Sequence, residues 1–367
     1  MTEAPVPFLD LQPEFEQLES EWLDAIRRIG ASGAFILGPE VHAFEQEFAD
    51  YVGAPCSVSV ANGTDALILA LKALEIGPGD EVITTPYSFF ATAEVVSRVG
   101  ARPVFVDIDP VTFNLDLDQV ESRINARTRA VLPVHLFGCP VDMTRLTDLA
   151  EQRGIAVIED CAQAFGATHD GRPVGGWGDF GCFSFYPTKV LGCYGDGGII
   201  TVRDPAHVER IKSLRNHGAS APFMHDIIGY NSRLDEIQAA LLRIKLRGIG
   251  QSIEARRKVA SWYQSGFDGS DVVTPSSPCG EHVYNLYTIR TPDRDAAKER
   301  LQAAGIGFNL CYPVPVHLQK VYEPLGYSAG DLPHAERASR ECISLPIYPF
   351  MSEEQVERVV RVVLARA

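Results

Sequence analysis

In the N-terminal half of the chain, short apolar runs alternate with segments whose apolar residues recur every three to four positions. "EVITT" is followed by a helical "FATAEVVSRVG", "PVFVDI" by "LDLDQVESRI" and "RAVLPVHLF" by "DMTRLTDLAEQRG", while "IAVIED" leads into "CAQAF". Runs of β-branched residues without polar alternation predict strands buried on both faces, and the segments between them predict the crossover helices of a parallel sheet. The pattern therefore predicts a large, doubly wound, mainly parallel α/β domain with a helical N-terminal segment. From about Ser252 the alternation changes. A long helical segment from "SRLDEIQAALLRIKL" through "IEARRKVASWYQSGF" leads to "VVTPSSPCGEHVYNLYTIR", a helical "DAAKERLQAAG", a Pro-rich stretch and a last helix from Ser352. This predicts a smaller α+β domain, with the chain divided into 1–250 and 251–367. No internal repeat is evident.

Ligand sites in such sheets gather beyond the carboxyl ends of the strands. That directs attention to Asp160, where "IAVIED" runs out, and to Tyr87–Phe90, just after "EVITT".

The 367 residues are 46% hydrophobic and 22% charged, which suits a globular protein with a large core. A formal net charge of −15 argues against a nucleic-acid or anionic-membrane surface, so an anionic ligand must be held by local groups. No apolar stretch reaches membrane-spanning length and the N-terminus lacks a signal peptide's pattern, so the expected location is the cytoplasm. The eight cysteines lack metal-ligand spacing, and neither a disulfide nor a metal is expected.

Four segments carry candidate chemistry. "VANGTDALILALKAL" sets Asn62, Gly63 and Thr64 ahead of a helix, which makes either a phosphate cradle or a simple N-cap. Glu159 and Asp160 end a buried strand, where a carboxylate is either a hydrogen-bond hub or the counter-ion of a cationic ligand atom. Tyr87, Phe89 and Phe90 fill core, or one of them stacks on a flat ligand ring. Lys189, in "SFYPTKVLGCYGDGG", is either a solvated loop lysine or an amine that forms a Schiff base with an aldehyde. Pyridoxal 5′-phosphate needs one of each: a lysine, an acidic partner for its ring nitrogen, a phosphate cup and an aromatic lid.

These blocks, with "VIEDCAQAFGA", "RNHG", "GYNSRLDEIQAALL" and "YPVPVHLQ", resemble in order and almost end to end the DegT-type sugar aminotransferases of the aspartate-aminotransferase fold group. The resemblance implies that Lys189 carries the cofactor and moves the substrate proton, and that Asp160 keeps the ring nitrogen protonated. It further implies that Gln163 bonds the ring oxygen, that Phe89 stacks on the ring, and that Gly63, Thr64 and Ser184 hold the phosphate. Asn231 matches a phosphate contact from the neighbouring subunit, so a homodimer with shared sites is implied. Arg233, whose ordinary alternative is an ion pair with Asp235 or Glu236, resembles a residue that reaches substrate across that interface. Tyr312 and His317 are candidate substrate contacts, against packing within the small domain. The activity implied is ping-pong transfer of an amino group from L-glutamate to a keto sugar carried on a nucleoside diphosphate.

"KVLGCYGDGG" is closer to the branch that aminates C3 of 3-oxo sugars than to the C4 branch, where "TTGEGG" follows the lysine. Acceptors of both the dTDP-3-oxo-6-deoxyhexose and the UDP-2-acetamido-3-oxo-hexuronate type fit. Cys311 stands where relatives of both kinds often have histidine, which removes a donor to a sugar carboxylate and weakens the uronate reading. Sugar dehydratases of this fold replace the lysine with histidine, so Lys189 argues against that activity. A regulatory protein without turnover would show erosion of Lys189, Asp160 and Gln163, and a simple nucleotide binder would need a P-loop or GxGxxG, neither of which is present.

Overall fold

The computed structural model describes residues 4–365. Helices α1 (Gln12–Ser32) and α2 (Pro39–Val52) precede strand β1 (Cys56–Val60), after which helices and strands alternate. In order these are α3 (Gly63–Ala73), β2 (Glu81–Thr84), α4 (Ala91–Arg98), β3 (Arg102–Phe105), α5 (Leu117–Arg123), β4 (Thr128–Leu132), α6 (Met143–Arg153) and β5 (Ala156–Asp160). Strands β6 (Phe180–Ser184) and β7 (Gly198–Val202) follow, then α7 (Val208–Arg215) and the 32-residue α8 (Glu236–Phe267).

The seven strands form one sheet in the order β1–β7–β6–β5–β4–β2–β3, in which only β7 runs antiparallel to its neighbours. This is the expected doubly wound α/β domain. Successive side chains of a strand point to opposite faces. Ile158 of β5 accordingly packs with residues of α3, α4 and α7, while Val157 packs with residues of α5 and α6.

The C-terminal part contains β8 (Tyr287–Arg290), α9 (Arg294–Ala303), α10 (Pro333–Glu341), β9 (Cys342–Leu345) and α11 (Glu353–Leu364), with β8 and β9 paired antiparallel. Helix α8 joins the two parts without a break. Leu241, Leu242 and Ile249 lie in a cluster with α2 and β6, whereas Val259, Tyr263 and Phe267 lie in one with β8, β9 and α11. The expected junction between 250 and 251 thus falls inside a helix. Val6 also packs in the C-terminal cluster and pairs with Ile306, although its position in the chain assigns it to the large domain. Among the described residues no helix is long and apolar enough to cross a membrane.

One aromatic cluster braces the end of β6 from which the candidate lysine's loop departs. The Phe48 ring of α2 lies 4.9 Å from that of Phe183, 5.2 Å from Phe165 and 5.6 Å from Phe185, and is fully buried. Phe48→Ala is expected to cost about 3–5 kcal/mol in urea unfolding, as for other large core truncations. A loss below about 1 kcal/mol, the range of tolerated core swaps, would contradict this packing.

Candidate active site

Strand β5 ends in two carboxylates, and its two-residue period sends them to opposite sides. Glu159, fully buried, accepts the N–H groups of Gly175 (2.7 Å), Trp177 (2.9 Å) and Gly178 (2.7 Å) and pairs with His135 Nε2 at 3.0 Å. The Val141 N–H donates to His135 Nδ1 at 3.0 Å, so the ring proton sits on Nε2 and is directed at Glu159. His135, Glu159 and Cys161 lie close enough together to hold a metal, but the imidazole and carboxylate of that group are already engaged in this hub.

Asp160 faces a cavity of about 810 Å³ at the carboxyl end of the sheet, and Lys189, in the loop after β6, lines the same cavity. Its Oδ2 accepts the Thr92 hydroxyl at 2.8 Å and its Oδ1 the Ala162 N–H at 3.1 Å, which leaves acceptor capacity toward the cavity. Burial pushes the Asp160 carboxyl up from the ordinary range, against the pull of the Ala162 N–H, the Thr92 hydroxyl and the Lys189 charge. Burial likewise lowers the Lys189 ammonium below that of a solvated lysine, and Asp160 opposes it. A lowered lysine offers more free amine at neutral pH, which is what a nucleophile needs.

A cup of polar donors lies at the start of α3 on the cavity wall. Asn62 caps the helix by accepting the Asp65 N–H at 2.8 Å, so the N-cap reading of this segment holds and leaves the first two N–H groups of the helix open. The N–H groups of Gly63 and Thr64, the first two of the helix, have no carbonyl within it to bond. They stand beside the hydroxyls of Thr64 and Ser184 on the cavity wall. Glycine is required at 63 by close approach, since a Cβ there would lie 2.7 Å from Ser184 Cβ. A Cβ on Gly198 would likewise lie 2.5 Å from the Asn62 carbonyl carbon, which ties the "GDGG" turn to the cup.

Tyr87 is fully buried, Phe90 packs on Tyr322, and Phe89, 62% exposed, stands on the cavity wall. Gln163 accepts the Phe137 N–H at 2.8 Å and donates to Tyr312 Oη at 3.0 Å, which fixes its NH₂ end on the cavity side with Tyr312. Gly63, Thr64, Phe89, Asp160, Gln163, Ser184, Lys189 and Tyr312 therefore converge on one cavity.

Three candidates do not line it. Asn231 is exposed and bridges to Asn216, and Arg233 donates to Asn216 Oδ1 at 2.9 Å. The expected alternative partner Glu236 instead accepts the N–H groups of Gly38, Glu40 and Val41. His317 is buried, with Nε2 3.4 Å from Glu336 Oε1. Thr92, which sequence reasoning passed over, and Ser88, which lies in the flagged Tyr87–Phe90 stretch but was given no role, line the cavity, and Thr92 bonds Asp160 across 68 residues of chain, a separation no local pattern signals.

The residues fit pyridoxal 5′-phosphate. The cup suits a phosphate, Asp160 retains acceptor capacity for a ring N–H, and Lys189 supplies an amine for the aldehyde.

The family model described as "DegT/DnrJ/EryC1/StrS aminotransferase family" matches residues 16–364. A "Pleiotropic regulatory protein" of Geobacillus stearothermophilus is 46% identical, covering 97% of this chain and 96% of that one. A UDP-N-acetyl-3-dehydro-alpha-D-glucosamine 3-aminotransferase of Acidithiobacillus ferrooxidans is 44% identical, covering 98% and 97%. The crystal structure of Streptomyces venezuelae DesV superposes with a TM-score of 0.95 at 44% identity, covering 98% of this chain and 97% of that one. NtdA of Bacillus subtilis, solved with bound cofactor PMP, superposes with a TM-score of 0.91 at 29% identity, covering 99% and 87%.

The cup gives a direct test. Gly63→Ala forces Ser184 away from the helix, and pyridoxal phosphate affinity, read by fluorescence titration, is expected to fall about tenfold or more. Gly30→Ala, which meets open space in α1, serves as the control and should leave affinity unchanged. Equal affinity in both variants would remove the cup from the site.

Proposed function

The chain belongs to the DegT/DnrJ/EryC1/StrS aminotransferase family, and on that premise we propose that it transfers an amino group from L-glutamate to C3 of a nucleotide-linked 3-oxo sugar, using pyridoxal 5′-phosphate. The observation that carries this reading is the convergence of Asp160 and Lys189, both shifted toward neutrality by burial, on one cavity with a phosphate cup.

When bound, the cofactor supplies an aldehyde for the amino group and a ring that accepts the electron pair left by deprotonation. Asp160 would accept the ring N–H and keep that nitrogen protonated. Gly63, Thr64 and Ser184 would hold the phosphate, Gln163 would donate to the ring oxygen, and Phe89 would cover the ring. Lys189 Nζ would take the proton from Cα of the amino-acid donor, and would deliver one to C3 of the sugar in the second half-reaction. Phe89 and Tyr312 would supply the aromatic walls on either side of these groups.

The C3 assignment is supported by "KVLGCYGDGG" and by the 3-aminotransferase name of the Acidithiobacillus relative. Burial pushes the Cys311 thiol up, so a neutral group stands where relatives often have an imidazole. This favours an uncharged 3-oxo sugar over a uronate. We further assign a cytoplasmic homodimer, in which the exposed Asn231 and neighbouring Arg233 of one subunit complete the site of the other. Arg233 and Tyr312 would contact the sugar nucleotide. His317 would act on the substrate only indirectly, since it is buried against Glu336 and does not line the cavity.

The regulatory name of the Geobacillus relative favours one other reading, a protein of this fold without turnover. Incubation with ¹⁵N-glutamate and matched 3-oxo and 4-oxo nucleotide sugars separates the readings. Label is expected in the 3-amino product, with kcat/KM at least about tenfold above that for the 4-oxo sugar, a difference of roughly 1.4 kcal/mol in transition-state binding. Preference for the 4-oxo sugar would overturn the regiochemistry, and absence of label from every acceptor would favour the regulatory reading.

A further inference from the structure

Behind Asp160 lie two hydroxyls for which the phosphate cup and the aromatic wall provide no use. Thr92, in the first turn of α4, is 1% exposed, and Ser88, in the loop before it, is 4% exposed. Thr92 Oγ1 is 2.8 Å from Asp160 Oδ2 and 2.9 Å from Ser88 Oγ. An ionised carboxylate only accepts, so the Thr92 proton is directed at Asp160. Thr92 then has no proton left to give, and the Ser88 hydroxyl must donate to it. Every bond in this buried chain is polarised toward the carboxylate, an arrangement in which each bond strengthens the next.

We propose that Ser88 and Thr92 form a two-hydroxyl relay that holds Asp160 ionised and turned toward the cavity, with Thr92 as the positioning residue. The proposal rests on the reading of Asp160 as the partner of the cofactor's ring nitrogen. A carboxyl that carried its own proton could not accept the ring N–H in the same way, and burial favours that neutral form. The Ala162 N–H occupies Oδ1 and the relay occupies Oδ2, so together they also fix which lone pairs remain for a ligand.

Lys189 and the His135 ring face Asp160; the Lys189 charge favours the ionised carboxylate, while the imidazole is engaged with Glu159 and the Val141 N–H. The Cys161 and Cys182 thiols and the Tyr312 phenol also face it, and burial raises each of them and keeps it protonated. All five remain in place when either hydroxyl is removed. A hydrogen bond to the charged form lowers a carboxyl's pKa, so losing the relay must raise it.

The test uses the full chain without cofactor, labelled with ¹³C at the aspartate carboxyls, with the Asp160 resonance assigned by Asp160→Asn. Thr92→Val keeps the side-chain shape and removes the donor. Its Asp160 titration midpoint is expected about one pH unit or more above wild type. Ser88→Ala should move it by less in the same direction, and Thr92→Ser should restore it. Pyridoxal phosphate affinity near neutral pH, read by fluorescence, should fall about tenfold in Thr92→Val and recover in Thr92→Ser. An Asp160 midpoint equal to wild type in Thr92→Val overturns the relay; should that variant not fold, an unchanged midpoint in Ser88→Ala does so. A wild-type protein that binds no pyridoxal phosphate overturns the functional reading instead, while the carboxyl titration still decides the relay.

Discussion

Two opposite charges are brought to one cavity without being spent on each other. Asp160 and Lys189 each resist the neutrality that burial imposes by attracting the other, yet they make no ion pair within 4 Å among the described residues. Had they closed into a direct bridge, neither the carboxylate nor the amine would be open to a ligand. Much of the large domain serves to keep them apart and in place. The Glu159 hub fixes the end of β5 from one face, the Thr92 and Ala162 donors fix Asp160 from the other, and the Phe48 cluster supports the end of β6 from which the Lys189 loop departs.

This arrangement also explains how a chain of net charge −15 can hold an anion. The phosphate cup is built from the N-terminus of α3, whose first N–H groups and dipole are local and indifferent to the overall field. Two close backbone approaches, Gly63 to Ser184 and Gly198 to Asn62, bring β6, β7 and α3 to one point. The glycines of the Lys189 loop are therefore needed for space and not for a left-handed backbone, since none of them has positive φ.

The large domain was legible in the sequence because buried parallel strands and amphipathic crossovers have opposite periodicities. The places of Asp160 at a strand end and of Gly63 and Thr64 at a helix start were legible too, whereas Lys189 lies in a loop and was singled out by the family resemblance. The segment alone left hub and counter-ion open for Glu159 and Asp160 and the resemblance singled out Asp160; their places on opposite faces of β5 put Glu159 in the hub and Asp160 on the cavity. Thr92 was missed because its partner is remote in sequence. The junction near 250 lies within α8, which changes its packing partners along its length while its own periodicity continues, so composition shifts where the backbone does not. Asn231 and Arg233 carry a family signal that the single chain's cavity does not absorb, because both are tied to Asn216 away from it.

One lysine of this chain, Lys189, is placed to carry the cofactor. This role is tested most directly by loading the protein with pyridoxal phosphate, reducing it with borohydride, digesting it and mapping the pyridoxyl-modified peptide by mass spectrometry. A single modified site is expected at Lys189, at one group per chain, and none in Lys189→Ala. Modification spread over exposed lysines, or a wild-type pattern that persists in Lys189→Ala, would contradict it.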